Sequence, residues 1–252
     1  MTSALIGYTG FVGSNLLRQT HFDDLYNSKN IMDIEGRKYD LVVCAGAPAE
    51  KWKADKDPQA DAYNLAALVG HLLYIEAKKF IIISTVDVYG RPQEVDEDSP
   101  IRAISPRGYG ANRAWLERAV SGLFENAQII RLGGVFGMGL KKNPIYDLIH
   151  KQYDFMPSDY STFQFYPIYR LWADILKTRA RVRNLVTEPI SYYNLRKAID
   201  KDDTHYTALP DEKKYDVHTK FDGPYLESSD EILTQIKDFI SNEVRSPILI
   251  GL

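Results

Sequence analysis

Gly7-Tyr8-Thr9-Gly10-Phe11-Val12-Gly13 stands between a short apolar run, Ala4-Leu5-Ile6, and a helical pattern from Phe11 to Gln19. Three glycines in that setting suit one job. One permits a tight turn, one lets the backbone approach a pyrophosphate, and one lets the helix pack close to the strand. The helix start then offers free N–H groups to phosphate oxygens. Glycines at this spacing are common in turns, so the strand–turn–helix context carries the reading: a dinucleotide site touching Gly7, Thr9, Gly10, Phe11, Val12 and Gly13. Farther on, Tyr109 and Arg113 are four apart on a predicted helix and share a face. A phenol beside a cation is a proton donor or acceptor, because the charge favours phenolate. By themselves the two residues read better as a surface cation–π pair; the motifs around them favour the acid–base reading.

An acid about twenty residues beyond the glycines normally binds the adenosine ribose. Asp33 has that spacing but falls past the expected end of the second strand, where Asn27-Ser28-Lys29-Asn30 is the other choice. Lys29 is either a solvated lysine or a partner for a 2′-phosphate. NAD and NADP both stay open, with a lean toward NADP.

The elements that must hold these residues are legible. Tyr39 to Ala45 (YDLVVCA) and Phe80 to Ser84 (FIIIS) are strands apolar on both faces, and Gln128 to Leu132 (QIIRL) runs into Gly133-Gly134. Helical spacing covers Ala62–Lys78 and Tyr109–Phe124. Buried strands alternating with helices predict an α/β fold, a doubly wound parallel sheet with ligands beyond the carboxyl ends of the strands. The second strand should lie within Asp24–Ile34, and the short stretch after it leaves little room for a crossover helix. After Gly139 the chain turns aromatic and proline-rich, with Tyr146, Tyr153, Phe155, Phe163, Phe165, Tyr166 and Tyr169. Leu171–Arg181 reads as a helix, Asn184–Val186 as a returning strand, Lys201–Gly223 as a polar loop, and Ser228-Ser229 as the cap of a last helix.

Composition removes other classes. Hydrophobic residues at 44% and a net charge of −3 exclude disorder. Scattered charge gives no basic surface for nucleic acid. Cys44 is the single cysteine, so no internal disulfide or cysteine metal cluster forms, which points to the cytoplasm. The five histidines (His21, His71, His150, His205, His218) lack ligand spacing, so no metal is expected. Nothing approaches the about eighteen apolar residues of a membrane span. The apolar start lacks a leader's charged region and cleavage site, so the mature chain is expected to begin at Met1.

Taken in order, these motifs resemble the extended short-chain dehydrogenase/reductases, the epimerase/dehydratase group acting on nucleotide sugars. GYTGFVG is similar to the family's cofactor loop, and Ala45-Gly46-Ala47 to its small-residue turn. Asn64 matches the asparagine of the next helix, and Ser84-Thr85-Val86-Asp87-Val88-Tyr89-Gly90 resembles S-[ST]-x-x-V-Y-G. Tyr109-Gly110-Ala111-Asn112-Arg113 stands where Y-x-x-x-K belongs, with Glu117 on the same helix. Arg131 to Gly139 is similar to R-x-x-x-V-Y-G-P-G. The resemblance covers nearly the whole chain. It implies a Rossmann core over 1–140 and a reduced substrate lobe over 141–252, with about 170–187 returning to the core. It implies cofactor contacts at Asn64, Tyr109, Arg113 and the Ala45–Ala47 turn, and catalysis by Thr85, Tyr109 and Arg113. Thr85 would hold the substrate oxygen that gains or loses a hydride, and Tyr109 would carry its proton.

Two departures stand out. Arg113 replaces the family lysine, keeping the charge on a bulkier, planar group. Val86 replaces the first acid of the dehydratase pair and leaves Asp87, which opposes a standard dehydratase because elimination needs separate acid and base. Asp87, Lys141, Lys142, Asn143 and Gln164 are the substrate-side candidates; the lysines suit a diphosphate or simply solvent, and Gln164 sits among aromatics that suit a pocket or a core. The resemblance also implies a possible homodimer through the Tyr109 helix, with Trp115 and Ala119. Two functions follow: an NAD(P)-dependent oxidoreductase or epimerase on a nucleotide-activated sugar or related polyol, or an NAD(P)-binding module with a structural or sensing role, which Arg113 favours.

Overall fold

The structure, a computed structural model, describes residues 1–101, 108–153, 156–200, 209 and 211–245. Phe155, His205 and residues 201–208 and 210 of the polar tract lie outside them. Strands β1 (Ser3–Ile6), β2 (Asp24–Tyr26), β3 (Lys38–Cys44) and β4 (Glu76–Thr85) come first, with helices α1 (Phe11–Leu17), α2 (Lys51–Lys56) and α3 (Pro58–Leu72) between them. After β5 (Gln93–Val95) come α4 (Tyr109–Leu123), β6 (Ala127–Leu132), β7 (Gly134–Phe136) and α5 (Pro144–Ile149). The chain then forms β8 (Thr162–Phe163), β9 (Phe165–Pro167), α6 (Leu171–Lys177) and β10 (Val182–Leu185). It closes with β11 (Ile190–Ser191), α7 (Tyr192–Ile199), β12 (Asp216–Val217) and α8 (Ser229–Arg245).

Six strands form one parallel sheet in the order β10-β6-β4-β3-β1-β2. Its strands are apolar on both faces because a layer covers each. Ala4, Ile6, Val42, Cys44, Phe80 and Ile82 pack on α3 and α4 residues such as Leu65, Leu116 and Val120. Leu5, Val43, Ile81, Ile83, Ile130 and Leu132 pack on Leu16, Leu171 and Ile175. β2 passes to β3 through a single 3-10 turn, Ile31–Ile34, so no crossover helix stands there. β2 and β3 lie on opposite sides of β1, which puts the topological switch point between β1 and β3.

The sequence places a helix over Ala62–Lys78; the structure begins it at Pro58 and ends it at Leu72. Pro58 suits the first helical turn, and Asp57 caps it by accepting the Ala60 N–H at 3.0 Å. Glu76 to Lys79 instead extend β4, paired with β3 from Lys38 to Leu41. There the ladder outweighs helical spacing, and charged side chains point to solvent at the sheet end, with Lys38 and Glu76 in a 2.7 Å ion pair.

Beyond β7 a second core forms from Phe136, Ile145, Leu148, Phe165, Tyr192, Leu195, Ile232 and Ile236. Ser228 and Glu231 start α8 as a capping box, the Ser228 N–H donating to the glutamate at 2.8 Å. No helix among the described residues is long and apolar enough to cross a membrane.

Candidate functional site

Because the sheet strands run parallel, Gly7, Ala45, Thr85 and Gly133 leave it at one edge, following β1, β3, β4 and β6. Gly7 and Thr85 are two strands apart, about 10 Å at the usual strand spacing. Gly7 has φ +86°, and a Cβ there would strike the Ala45 carbonyl. A Cβ on Gly13 would strike the Gly7 carbonyl, so Gly13 lets α1 press against the turn. Gly10 differs: its Cβ would meet only the Gly7 oxygen, at 3.3 Å, and the residue is exposed. Gly7 and Gly13 therefore shape the cradle, and Gly10 is its open wall. Thr9 is exposed beside it, and the Phe11 and Val12 side chains pack into the core. α1 begins with no side-chain cap and no acid in its first turn. These features fit a pyrophosphate. Gly46 and Ala47 flank the β3 side of the cradle, Gly46 against Ile6 and Ala47 against the core.

At the end of β2, Asn27 and Asn30 fold the turn on themselves. The Asn30 side chain accepts the Asn27 N–H at 2.7 Å, and the Asn27 side chain accepts the Lys29 N–H at 2.9 Å. Lys29 is exposed, and Asp33 is exposed on the next 3-10 turn.

Thr85 ends β4 and caps the short 3-10 turn Val86–Tyr89 by accepting the Asp87 N–H at 3.2 Å. Tyr109 opens α4, whose first N–H donates to Asp55 of α2 at 2.9 Å. Gly110 lets α4 touch that turn, since a Cβ would strike the Asp87 carbonyl. Thr85, Asp87 and Tyr109 are thus brought to one place. Asn64 is not among them; it is exposed on α3.

Arg113 lies under the Tyr109 ring, its guanidinium carbon 4.3 Å from the centroid. Its shortest hydrogen bonds go to other partners, although it keeps a side-chain interaction with the phenol. Nη1 and Nη2 grip Asp61 at 2.8 and 3.0 Å, Nη2 also donates to the Pro48 carbonyl, and Nε is buried with no partner. The two side chains are 2% and 6% exposed. Asn112 adds a 2.8 Å bond to the same carboxylate. Burial works against the Asp61 charge, but bonds from Arg113 and Asn112 outweigh it and hold the carboxyl below its ordinary range. Arg113 is thereby ion-paired at close range. Burial is the largest influence on the Tyr109 phenol and raises it above the ordinary tyrosine value; Arg113 pulls down without prevailing, and Asp87 pushes up again. Tyr109 is a neutral phenol at neutral pH.

A second buried network fixes α4. Glu117 takes the Arg131 guanidinium at 2.7 and 3.0 Å and the Ser84 hydroxyl at 2.6 Å. Arg131 also donates to the Tyr89 hydroxyl at 2.8 Å, which bonds Asn184 of β10. The Glu117 and Arg131 positions noted in the sequence thus tie α4 to three sheet strands.

Two residues that the sequence did not single out meet Asp87. Lys51 Nζ is 2.5 Å from Asp87 Oδ1, and the Tyr215 hydroxyl donates to the same oxygen at 2.8 Å. Lys51 lies in the charged run Glu50-Lys51-Trp52-Lys53, which reads as a solvated helix face, and Tyr215 lies in a polar tract; neither carries a local signal.

Of the substrate-side candidates, Lys141 and Lys142 are exposed, Lys142 paired with Asp147 at 2.6 Å. Asn143 caps α5 by accepting the Tyr146 N–H at 2.9 Å. The buried Gln164 amide donates to the Thr187 and Val217 carbonyls and accepts the Val217 N–H at 2.7–2.8 Å.

No family model and no curated protein matches the chain by sequence. Solved structures do match by shape. A UDP-N-acetylglucosamine 4-epimerase from Methanobrevibacter ruminantium, in complex with UDP-N-acetylmuramic acid, has TM-score 0.75 at 17% identity over 97% of this chain and 98% of its own. The fold is that of the nucleotide-sugar epimerases and reductases. A Bacillus cereus UDP-glucuronic acid 4-epimerase variant, in complex with a UDP-sugar and NAD, has TM-score 0.71 at 17% identity over 96% of this chain and 100% of its own. A dTDP-4-dehydrorhamnose reductase from Clostridium acetobutylicum has TM-score 0.69 at 14% identity over 97% of this chain and 100% of its own.

Proposed function

We propose that this protein is a short-chain dehydrogenase/reductase that binds NAD(P) and reduces or epimerises a nucleotide-activated sugar or related polyol. The observation that carries it is the shared edge: the glycine cradle, Thr85 and Tyr109 stand where a dinucleotide laid across β1, β3 and β4 would present its nicotinamide. Gly7 to Gly13 and the Ala45–Ala47 turn would hold the pyrophosphate side. Asn27 and Lys29 would meet the adenosine ribose, Lys29 favouring a 2′-phosphate. Residues 1–140 with about 170–187 form the cofactor core, and the remainder forms the substrate lobe.

The bound nicotinamide supplies hydride donation and acceptance. The chain's own groups manage the oxygen. Thr85 Oγ1 orients it, and Tyr109, neutral at pH 7, gives its Oη proton to an oxygen gaining charge. That favours the carbonyl-to-alcohol direction at neutral pH. The Arg113–Asp61 clamp favours a second reading, an NAD(P)-binding module without turnover. The test is a panel of UDP- and dTDP-sugars and their 4-keto forms with each nicotinamide nucleotide, followed by nicotinamide absorbance and product analysis. Turnover lost in Tyr109→Phe supports the enzyme; cofactor binding with no product from any sugar supports the module.

A further inference from the structure

Four arginines are buried among the described residues, and three of them hold a carboxylate close by. Arg113 meets Asp61 at 2.8 Å, Arg131 meets Glu117 at 2.7 Å, and Arg196 meets Asp159 at 3.3 Å. Arg183 of β10 is the exception. Its side chain is 7% exposed, yet its nearest carboxylate is Asp222, 3.9 Å from Nη2 and on a side chain 93% exposed. Nη1 donates to the Phe221 carbonyl at 3.2 Å, the Phe221 ring lies 4.9 Å from the guanidinium, and Nε is buried with no partner. Burial pulls the guanidinium below its ordinary value, and the Glu97, Asp222 and Asp174 charges do not offset that. A buried cation of this kind lacks the matched counter-charge that its desolvation calls for.

Arg183 lines a cleft of about 420 Å³ between α6, β10 and residues 221–226, a size usual for small-molecule sites. Arg170, Lys177 and Arg179 line it too, against Asp174 and Asp222. Asp174 is already engaged: it accepts the Tyr166 hydroxyl at 2.8 Å and pairs with Arg170 at 2.9 Å. Arg170 also reaches Glu227 at 2.7 Å. Lys177 stands 3.8 Å from the other Asp174 oxygen, and Arg179 is exposed. Two more cations than acids thus line the cleft, beside an apolar wall of Leu185, Phe221 and Leu226. β10 is four strand spacings from β1, roughly 19 Å, and Thr178 to Ala180 enter it at the end of the sheet opposite the glycine turn. The cleft is separate from the cradle.

We propose that this cleft binds a small organic molecule through a phosphate monoester, with Arg183 as the central cation. A phosphate monoester carries about −1.5 to −2 charges at pH 7, which matches the excess of cations; a single carboxylate would leave half of it unmet. Arg183 offers Nη2 to a phosphate oxygen in a charge-assisted hydrogen bond. Lys177 and Arg179 close on the phosphate from the end of α6, and the exposed Asp222 side chain turns away into solvent. The organic body rests on Phe221, Leu185 and Leu226. The site needs neither Thr85 nor Tyr109, so it stands independently of the reaction assigned to the sheet edge.

The test uses the full chain without cofactor, with glucose 1-phosphate and inorganic phosphate as probes at fixed ionic strength. Heteronuclear NMR follows the Arg183 Nε–H resonance, identified by its absence in Arg183→Lys. Glucose 1-phosphate should move it, and calorimetric titration should show the ester binding more tightly than inorganic phosphate. Lys177→Glu combined with Arg179→Glu should weaken the ester by at least about tenfold, because two attractions become repulsions. Both of those side chains are exposed, so the double variant should melt like wild type. A resonance that neither probe moves overturns the proposal, as does an affinity unchanged in the double variant. Binding that leaves the Arg183 resonance in place puts the anion elsewhere and overturns it too. Inorganic phosphate that binds as tightly as the ester overturns the assignment of an organic ligand.

Discussion

The Arg113–Asp61 pair can be broken one partner at a time. In Asp61→Asn the volume and the Asn112 contact region are retained, but the guanidinium, 2% exposed, loses its counter-charge. Leaving one member of a buried pair costs about 3–5 kcal/mol. For a chain of this length each kcal/mol moves Tm by about 2–4 °C, so the variant should melt about 6–20 °C lower. Arg113→Met alone should also destabilise, while Asp61→Leu with Arg113→Met should recover most of the loss, because a matched apolar pair removes the desolvation cost of both charges. The pH dependence has a definite sign. The folded Asp61 carboxyl lies below its ordinary value of 3.8, so its contribution is complete above that pH and is lost as pH falls through the folded value. Calorimetric scans from neutral pH to below pH about 3 should show the gap between wild type and Asp61→Asn closing on the acid side. An Asp61→Asn protein that melts within a degree or two of wild type at neutral pH would refute the clamp and restore Arg113 as a free cation.

Gly13→Ala should destabilise by about 1–3 kcal/mol, since its Cβ meets the Gly7 backbone and the turn must move; thermal melts check this. Lys29→Ala should weaken NADPH about tenfold and leave NADH unchanged, as loss of a phosphate-paired ammonium requires; calorimetric titration of both nucleotides decides it. Because burial raises the Tyr109 phenol, carbonyl reduction should hold steady through neutral pH and decline only in the alkaline range as the phenol ionises. A kcat profile that instead rises from neutral to alkaline pH would make Tyr109 a base.

The glycine cradle was legible because its backbone geometry demands particular residues: a turn at φ +86° and a helix pressed against it admit no side chain. The sheet was legible because strands covered on both faces read as unbroken apolar runs, as in β3, β4 and β6. Less showed where partners are distant in sequence. Nothing local to Arg113 announces Asp61, which sits on another helix and pairs with the cation that spacing alone assigns to Tyr109. Lys51 and Tyr215 lie in polar stretches whose composition suits solvent, and only the fold brings them to Asp87. Gln164, amid aromatics, reads as a pocket residue; its amide carries three backbone bonds, two to Val217 of β12 and one to the Thr187 carbonyl. The end of α3 was misplaced because Glu76 to Lys79 continue a helical count while pairing with β3.

The edge beyond β1 and β3 is the proposed seat of a nicotinamide dinucleotide, and Gly10 isolates that site for a test. Gly10 borders the cradle without supporting it, so Gly10→Val should fold and melt like wild type. Calorimetric titration with NADH and NADPH should show wild type binding one or both and the variant weakened by at least about a hundredfold, as a methyl-bearing wall excludes the pyrophosphate from the glycine turn. Equal affinity in the two proteins, or no binding of either nucleotide by wild type, would contradict it.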